Sequence, residues 1–287
     1  MNRIYIIAAI IALIVSLLVV NLAAPKSGST EIREPVQARI LERGKIRCAY
    51  ALRPPGLYKD METNQLTGFG YEMMMEAAKR LSLEVEWAEE VGFGTIVDSV
   101  KTGRVDMGCG VYWPNAPRSR YIAFTDPMYY ETIYIYARKD EPRKITSYEE
   151  LNDPQYSFST IDGGTPAILR KRYFPLAEEK ALPELSHLGD MFEDVVAKKA
   201  DFVINPEIMA RDFEAMRPGT IKRLLDKPLT IYPVVMFLPA GETQLKAMMD
   251  ATFREMEYDG TTLAIIRKYK VDDVLKFNSL PQYPPKE

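Results

Sequence analysis

The chain reads as an α/β protein of two similarly built lobes, each a mainly parallel sheet flanked by helices and joined through two hinge strands. Three observations carry that reading. Strand-like and helical runs alternate through both halves, the pattern of a parallel sheet whose crossovers are helices. A helix end, an Asp and an apolar strand occur in that order twice, as Thr102-Gly103-Arg104-Val105-Asp106-Met107-Gly108 and as Lys198-Lys199-Ala200-Asp201-Phe202-Val203-Ile204. Two long extended runs, residues 132–138 and 230–237, are the natural connections between the halves.

Taken in order, the elements begin with an almost unbroken apolar run over residues 4–24. It is long enough to cross a bilayer as a helix. Its end, Val20-Asn21-Leu22-Ala23-Ala24, is a poor small-x-small cleavage match, so a cleaved signal peptide and an uncleaved membrane anchor both stay open. Either way the body is expected outside the cytoplasm, in the periplasm or an equivalent space. Residues 25–38 are read as a spacer, on the flexible composition of their first half. Residues 45–51 form a strand and 58–66 a polar turn. Residues 69–81 then set Phe69, Met73, Met74, Ala77, Ala78 and Leu81 on one helical face, a core stripe. A strand over 83–87, a helix over 95–101 stopped at Gly103 and a strand over 105–111 complete the first unit.

The second unit opens with a strand at 156–160. Gly163-Gly164-Thr165-Pro166 leads into a helix over 167–173, followed by a helix at 190–199, a strand at 200–204 and a helix from Glu207. The chain then returns through the extended run 230–238 to an amphipathic helix over 244–258. Gly260 suits a helix terminus, with a second helix beyond it. The expected boundaries are lobe 1 over 39–137, lobe 2 over 138–230, and 231–287 as the return to lobe 1 plus a Pro-rich tail.

Composition narrows the function. Hydrophobic residues make up 47% and charged residues 27%, ordinary for a soluble globular body. A net charge of −3 supplies no basic field for nucleic acid. Cys48 and Cys109 lie in apolar strand-like runs and read first as small buried core residues, with a bridge between them as the alternative. One histidine, His187, and no His/Cys pair at ligand spacing argue against a metal site, and no cofactor is expected. His187 reads as a helix-end or surface residue.

The segment from Gly103 to Asp140 is the most specific. It carries Gly103-Arg104-Val105-Asp106, then Asn115-Ala116-Pro117-Arg118, then Phe124-Thr125-Asp126-Pro127-Met128-Tyr129. Near the other end stands Asp259-Gly260-Thr261, continuing to Ile265-Ile266-Arg267-Lys268-Tyr269. In order and spacing these resemble the family 3 extracytoplasmic solute-binding proteins of ABC transporters, of the amino-acid-binding type, over nearly all of residues 44–269. The resemblance implies the two-lobed periplasmic-binding-protein-like fold of type II. It also implies an amino acid or related small carboxylate held between the lobes and delivered to an ABC permease.

Residue by residue, the resemblance places the carboxylate grip on Arg118, whose planar fork of donors suits that anion. The backbone and hydroxyl of Gly164 and Thr165, at a helix N-terminus, would share the grip. Departures from the family pattern fall on the ammonium half. Arg53 replaces an aromatic and offers a second cation. Trp113 and Asn115 stand where Ser and Thr are usual, and Pro206 occupies the position of the ammonium-binding Asp, with Glu207 as a substitute one residue on. Phe93 aligns with a cleft-lining aromatic. An organic anion therefore stands beside an amino acid as the expected ligand. The expected function is binding and not catalysis. The rival readings are an exported enzyme like cyclohexadienyl dehydratase and a membrane-tethered ligand sensor. The enzyme reading is weakened where Pro166-Ala167 follows Gly163-Gly164-Thr165, because the dehydratases carry a catalytic Glu in that stretch.

Overall fold

The structure, a computed structural model, describes residues 34–277. The apolar run at 4–24, with the choice between signal and anchor, and the tail from 278 lie outside the described residues. Among the described residues no helix is long and apolar enough to cross a membrane.

Helix α1 (Val36–Arg43) takes in the last residues assigned to the spacer: Pro35 precedes its first turn, Val36 and Ile40 face the core, and Gly44 ends it in the left-handed conformation. The first lobe then follows the expected order. Strand β1 (Lys45–Tyr50) leads through the short hairpin β2 (Tyr58–Lys59) and β3 (Leu66–Thr67) to helix α2 (Phe69–Arg80). Strand β4 (Glu84–Glu90), helix α3 (Ile96–Thr102) and strand β5 (Met107–Tyr112) follow. The apolar stripe of α2 is buried as its spacing requires: Phe69, Met73, Met74, Ala77 and Ala78 all lie in the core. Burying each of the large ones contributes about 1.5–3 kcal/mol. Strand β1 pairs in parallel with β4 on one side and β5 on the other.

Beyond the one-turn helix α4 (Ala116–Ser119) come strand β6 (Ile122–Phe124) and the ten-residue strand β7 (Tyr129–Arg138). The second lobe comprises β8 (Ser157–Ile161), α5 (Thr165–Tyr173), β9 (Glu178–Leu182), α6 (Asp190–Val196), β10 (Phe202–Pro206) and α7 (Glu207–Met216). Its sheet is parallel across β10, β8 and β9. Strand β9 was not expected. Its sequence, Glu178-Glu179-Lys180-Ala181-Leu182, resembles a solvated turn, but it is an edge strand, where charge guards against pairing with another chain.

Short β11 (Ile221–Arg223) leads to strand β12 (Thr230–Pro239), then helix α8 (Thr243–Tyr258), helix α9 (Thr261–Lys268) and β13 (Leu275–Lys276). The sheet order is β4-β1-β5-β12-β7-β10-β8-β9. Strand β12 is the seam: residues Thr230–Val234 pair with β7, while Val235–Pro239 pair with β5 and β6. The two extended runs singled out in the sequence thus lie side by side and antiparallel between the two parallel sheets.

The repeated Asp motif has one structural job, performed twice. The Asp106 N–H donates to the Arg47 carbonyl, and the Asp106 carboxylate accepts the Arg47 N–H in return, both at 2.8 Å. Asp201 does the same to Ser157, accepting its N–H at 2.9 Å and its hydroxyl at 2.8 Å. Each carboxylate is held by an arginine, Arg43 and Arg143 respectively. Each Asp therefore pins the start of one strand to its parallel neighbour, which fixes the register of both lobes. The Phe124-Thr125-Asp126 motif is structural as well: Asp126 binds Lys246 and Arg254 of α8, and Thr125 exchanges hydrogen bonds with Met236 of β12.

Cys48 and Cys109 form a disulfide, and both are fully buried. Parallel pairing of β1 with β5 brings their Cα atoms to 5.4 Å, within bonding reach. The expectation of plain core cysteines is corrected in that respect. Exposed His187 sits just before α6, where its N–H donates to Asp190.

Candidate ligand-binding cleft

In a parallel sheet the loops beyond the strand carboxyl ends are free to converge, and in sheets of this kind ligands bind there. Four such ends meet here. Arg53 follows β1, Trp113 and Arg118 follow β5, the Gly163–Thr165 turn follows β8, and Asn205 lies at the end of β10. Between them is a cavity of about 40 Å³, with a wall that also includes Phe93, Val111, Ile161, Leu188, Met191 and Met209.

Arg118 sits on the one-turn helix α4. Asn115 caps that helix, its Oδ1 accepting the Arg118 N–H at 3.0 Å, so the Asn fixes the backbone from which the arginine projects. The guanidinium lies over the Phe237 ring at 5.3 Å. Its Nη2 donates to two carbonyls on opposite sides of the cleft, Phe93 O at 2.5 Å and Gly163 O at 2.9 Å. Among the described residues no carboxylate forms an ion pair with it, although the side chain is buried. Burial without a counter-charge disfavours the cation and lowers its pKa to about 10, with weaker opposing pulls from Tyr112 and Glu184.

Gly164 is the N-cap of α5 and Thr165 its first residue, with Pro166 next. No side chain caps this terminus, so the Thr165 and Ala167 N–H groups of the first turn lack intrahelical partners. Thr165, expected to share the carboxylate grip, is the first residue inside the helix and lines the cavity.

Arg53 also lines the cavity, but it does not supply a second free cation. Its two Nη atoms meet the Glu131 carboxylate at 3.0 and 2.6 Å, and both side chains are buried. Burial works against this guanidinium, and the Glu131 charge and hydrogen bonds more than offset it, so its pKa is raised. The Trp113 Nε1–H donates to the same carboxylate at 2.6 Å, and Arg53 lies 5.1 Å above the indole ring. Trp113 thus presents a flat wall and no free donor.

Two further expectations change. Asn115 positions Arg118 and is absent from the cavity wall. Glu207 lies in a different depression, ion-paired with Arg223, because α7 begins at Glu207 and carries its side chain away from the cleft. The residue of β10 that does reach the cavity is Asn205, which is 2% exposed and whose Nδ2 has no hydrogen-bond partner among the described residues.

Glu184, in the loop after β9, escaped the sequence reading altogether. Its carboxylate accepts the N–H groups of Gly94 and Thr95, each at 2.6 Å, at the start of α3 in the other lobe. Gly163 has a φ of +71°, and a Cβ there would fall 2.6 Å from Gly94 Cα. The two lobes therefore touch backbone to backbone beside Arg118. Nothing in the local sequence of Glu184 announces a contact across 89 or 90 residues of chain.

The fold and cleft define a two-lobed solute-binding protein, and comparison with known proteins agrees. Residues 46–272 match the bacterial extracellular solute-binding proteins, family 3, and the chain belongs to that family. It is similar to the probable ABC transporter extracellular-binding protein YckB of Bacillus subtilis, 24% identical over 70% of this chain and 67% of the relative. The probable amino-acid-binding protein YxeM of the same organism is 23% identical over 91% of this chain and 95% of its own length. Among solved structures, the ancestral amino acid-binding protein AncCDT-1, a precursor of cyclohexadienyl dehydratase, superposes with a TM-score of 0.70. It is 24% identical, covering 82% of this chain and 99% of its own, a likeness of fold.

Proposed function

We propose that this protein captures a small carboxylate-bearing solute, an amino acid or a related organic anion, between its lobes and delivers it to an ABC permease. The observation that carries the reading is Arg118: a buried guanidinium with no acidic partner among the described residues, opening on the inter-lobe cavity beside an uncapped helix N-terminus. A ligand carboxylate would take up the charge of Arg118 bidentately and accept the first-turn N–H groups of α5. Closure would exclude water and strengthen each of these contacts. In this reading 39–137 and 231–287 make the first lobe with its tail, and 138–230 the second. The residues facing the solute are Arg118, Gly164, Thr165, Trp113 and Phe93, with Arg53 as part of the wall.

Binding is favoured over catalysis by the make-up of the wall, whose ionisable side chains are Arg53, Arg118 and Tyr112. A dehydration would need a proton donor at the reacting centre, and Pro166-Ala167 occupy the stretch where a dehydratase carries its Glu. Thermal melting of the purified chain against amino acids, keto acids, hydroxy acids and dicarboxylates tests the reading. At 100 times Kd a ligand adds about 2.7 kcal/mol to stability. The expected result is a ligand-specific rise in melting temperature that Arg118→Ala abolishes. A rise of equal size in the Arg118→Ala variant would defeat it.

A further inference from the structure

We infer that the cleft selects a small monocarboxylate without an ammonium group, such as a short 2-oxo or 2-hydroxy acid, over the corresponding α-amino acid. This rests on Arg118 being the carboxylate anchor, and it follows from the make-up of the cavity wall, which among the described residues includes no acid.

An α-amino acid brings two charges into the cleft, and each must find a partner when water leaves. Arg118 can serve the carboxylate. For the ammonium, three acids stand near enough to consider. Glu131 is 1% exposed and already accepts both Arg53 nitrogens and the Trp113 N–H. Glu184 accepts the N–H groups of Gly94 and Thr95 through Oε1 at the rim and is not part of the cavity wall. Glu207 faces Arg223 outside the cavity. At the end of β10 the cavity is met by the neutral amide of Asn205, whose buried Nδ2 lacks a partner.

Charge bookkeeping over the wall gives the same answer. Of the ionisable side chains in the wall itself, Arg53 is paired with Glu131, which leaves Arg118 as the wall's one cation without an ion-pair partner among the described residues. A monoanion neutralises it. An amino acid zwitterion would set an ammonium beside it with no counter-charge, and a dicarboxylate would leave one negative charge unmatched. Asn205 Nδ2 and the Thr165 hydroxyl can serve the 2-oxo or 2-hydroxy oxygen. Val111, Ile161, Leu188, Met191 and Met209 form an apolar lining for a short aliphatic tail, and the cavity of about 40 Å³ restricts the ligand to a compact one.

Isothermal titration of the full chain tests this with matched pairs: pyruvate against alanine, 2-oxoisovalerate against valine, and succinate as the dicarboxylate. Wild type should bind at least one 2-oxo acid more tightly than its amino-acid partner, on the order of 100-fold for an unpaired buried like charge. Asn205→Asp should shrink or reverse that preference by giving the ammonium its counter-charge. Tighter binding of an amino acid or of succinate by wild type would overturn the inference. If that binding still disappeared in Arg118→Ala, the carboxylate-anchor reading beneath it would survive. Failure of every carboxylate to bind wild type, or equal binding by Arg118→Ala, would overturn both.

Discussion

At the scale of single residues, the cleft holds two arginines that the sequence offered as two available cations. Both follow a strand of the first lobe, and both end up buried. Arg53 meets a carboxylate from β7, 78 residues away, while Arg118 meets only carbonyls. Their surroundings differ accordingly: Arg53 is neutralised within the wall, and Arg118 has no acidic partner among the described residues. Removing one member of a buried ion pair leaves the other charge uncompensated and costs about 3–5 kcal/mol. Glu131→Gln should therefore lower the stability measured in urea by roughly that amount. A loss below 1 kcal/mol would mean that water already shares this pair.

At the scale of elements, the loops after β4 and β8 meet across the cleft. Gly163 and Gly94 pass so closely that a single methyl group at Gly163 would strike the Gly94 backbone. Gly163→Ala is expected to fold normally, at a cost of about 1 kcal/mol for a non-glycine residue in the left-handed region, and to resist closure. Small-angle scattering with saturating ligand should show an unchanged radius of gyration, against a contraction in wild type. Matching contraction in the variant would show that the loops yield. The Asp–strand motif belongs to this scale too. Burial of Asp201 favours the neutral acid, but Arg143 and Ser157 outweigh it, and Lys246 and Arg254 lower the pKa of Asp126. A carboxyl whose folded pKa lies below its unfolded value of about 3.9 adds stability above that pH and loses it as pH falls through the folded value. Urea midpoints should thus hold down to about pH 5 and fall toward pH 3, a fall that Asp201→Asn should reduce.

At the scale of the whole molecule, the disulfide ties β1 to β5, the two strands whose following loops carry Arg53 and Arg118. It closes a loop of 61 residues, and such a link stabilises a fold by about 2–4 kcal/mol, chiefly through the unfolded chain. Cys48→Ala with Cys109→Ala should lower the melting temperature by roughly 5–15 °C. A bridge of this kind suits an exported protein, since disulfides persist in oxidising compartments.

The order of the main helices and strands, the parallel pairing within both halves, the two connecting strands and the place of Arg118 after β5 were legible in the sequence. Each depends on local periodicity or on a short motif, such as the Asp that opens a strand or the glycine that ends a helix. Strand β9 was hidden because an edge strand carries the charges of a loop. The tertiary structure alone decided that Cys48 bonds Cys109, that Glu131 neutralises Arg53, that Glu207 turns away while Asn205 faces the cavity, and that Glu184 reaches the other lobe. For the Arg53–Glu131 pair and for Glu184 the physical reason is shared. The charge and hydrogen-bonding state of a buried polar group is set by what the fold brings within about 3 Å of it, and those partners lie far away along the chain.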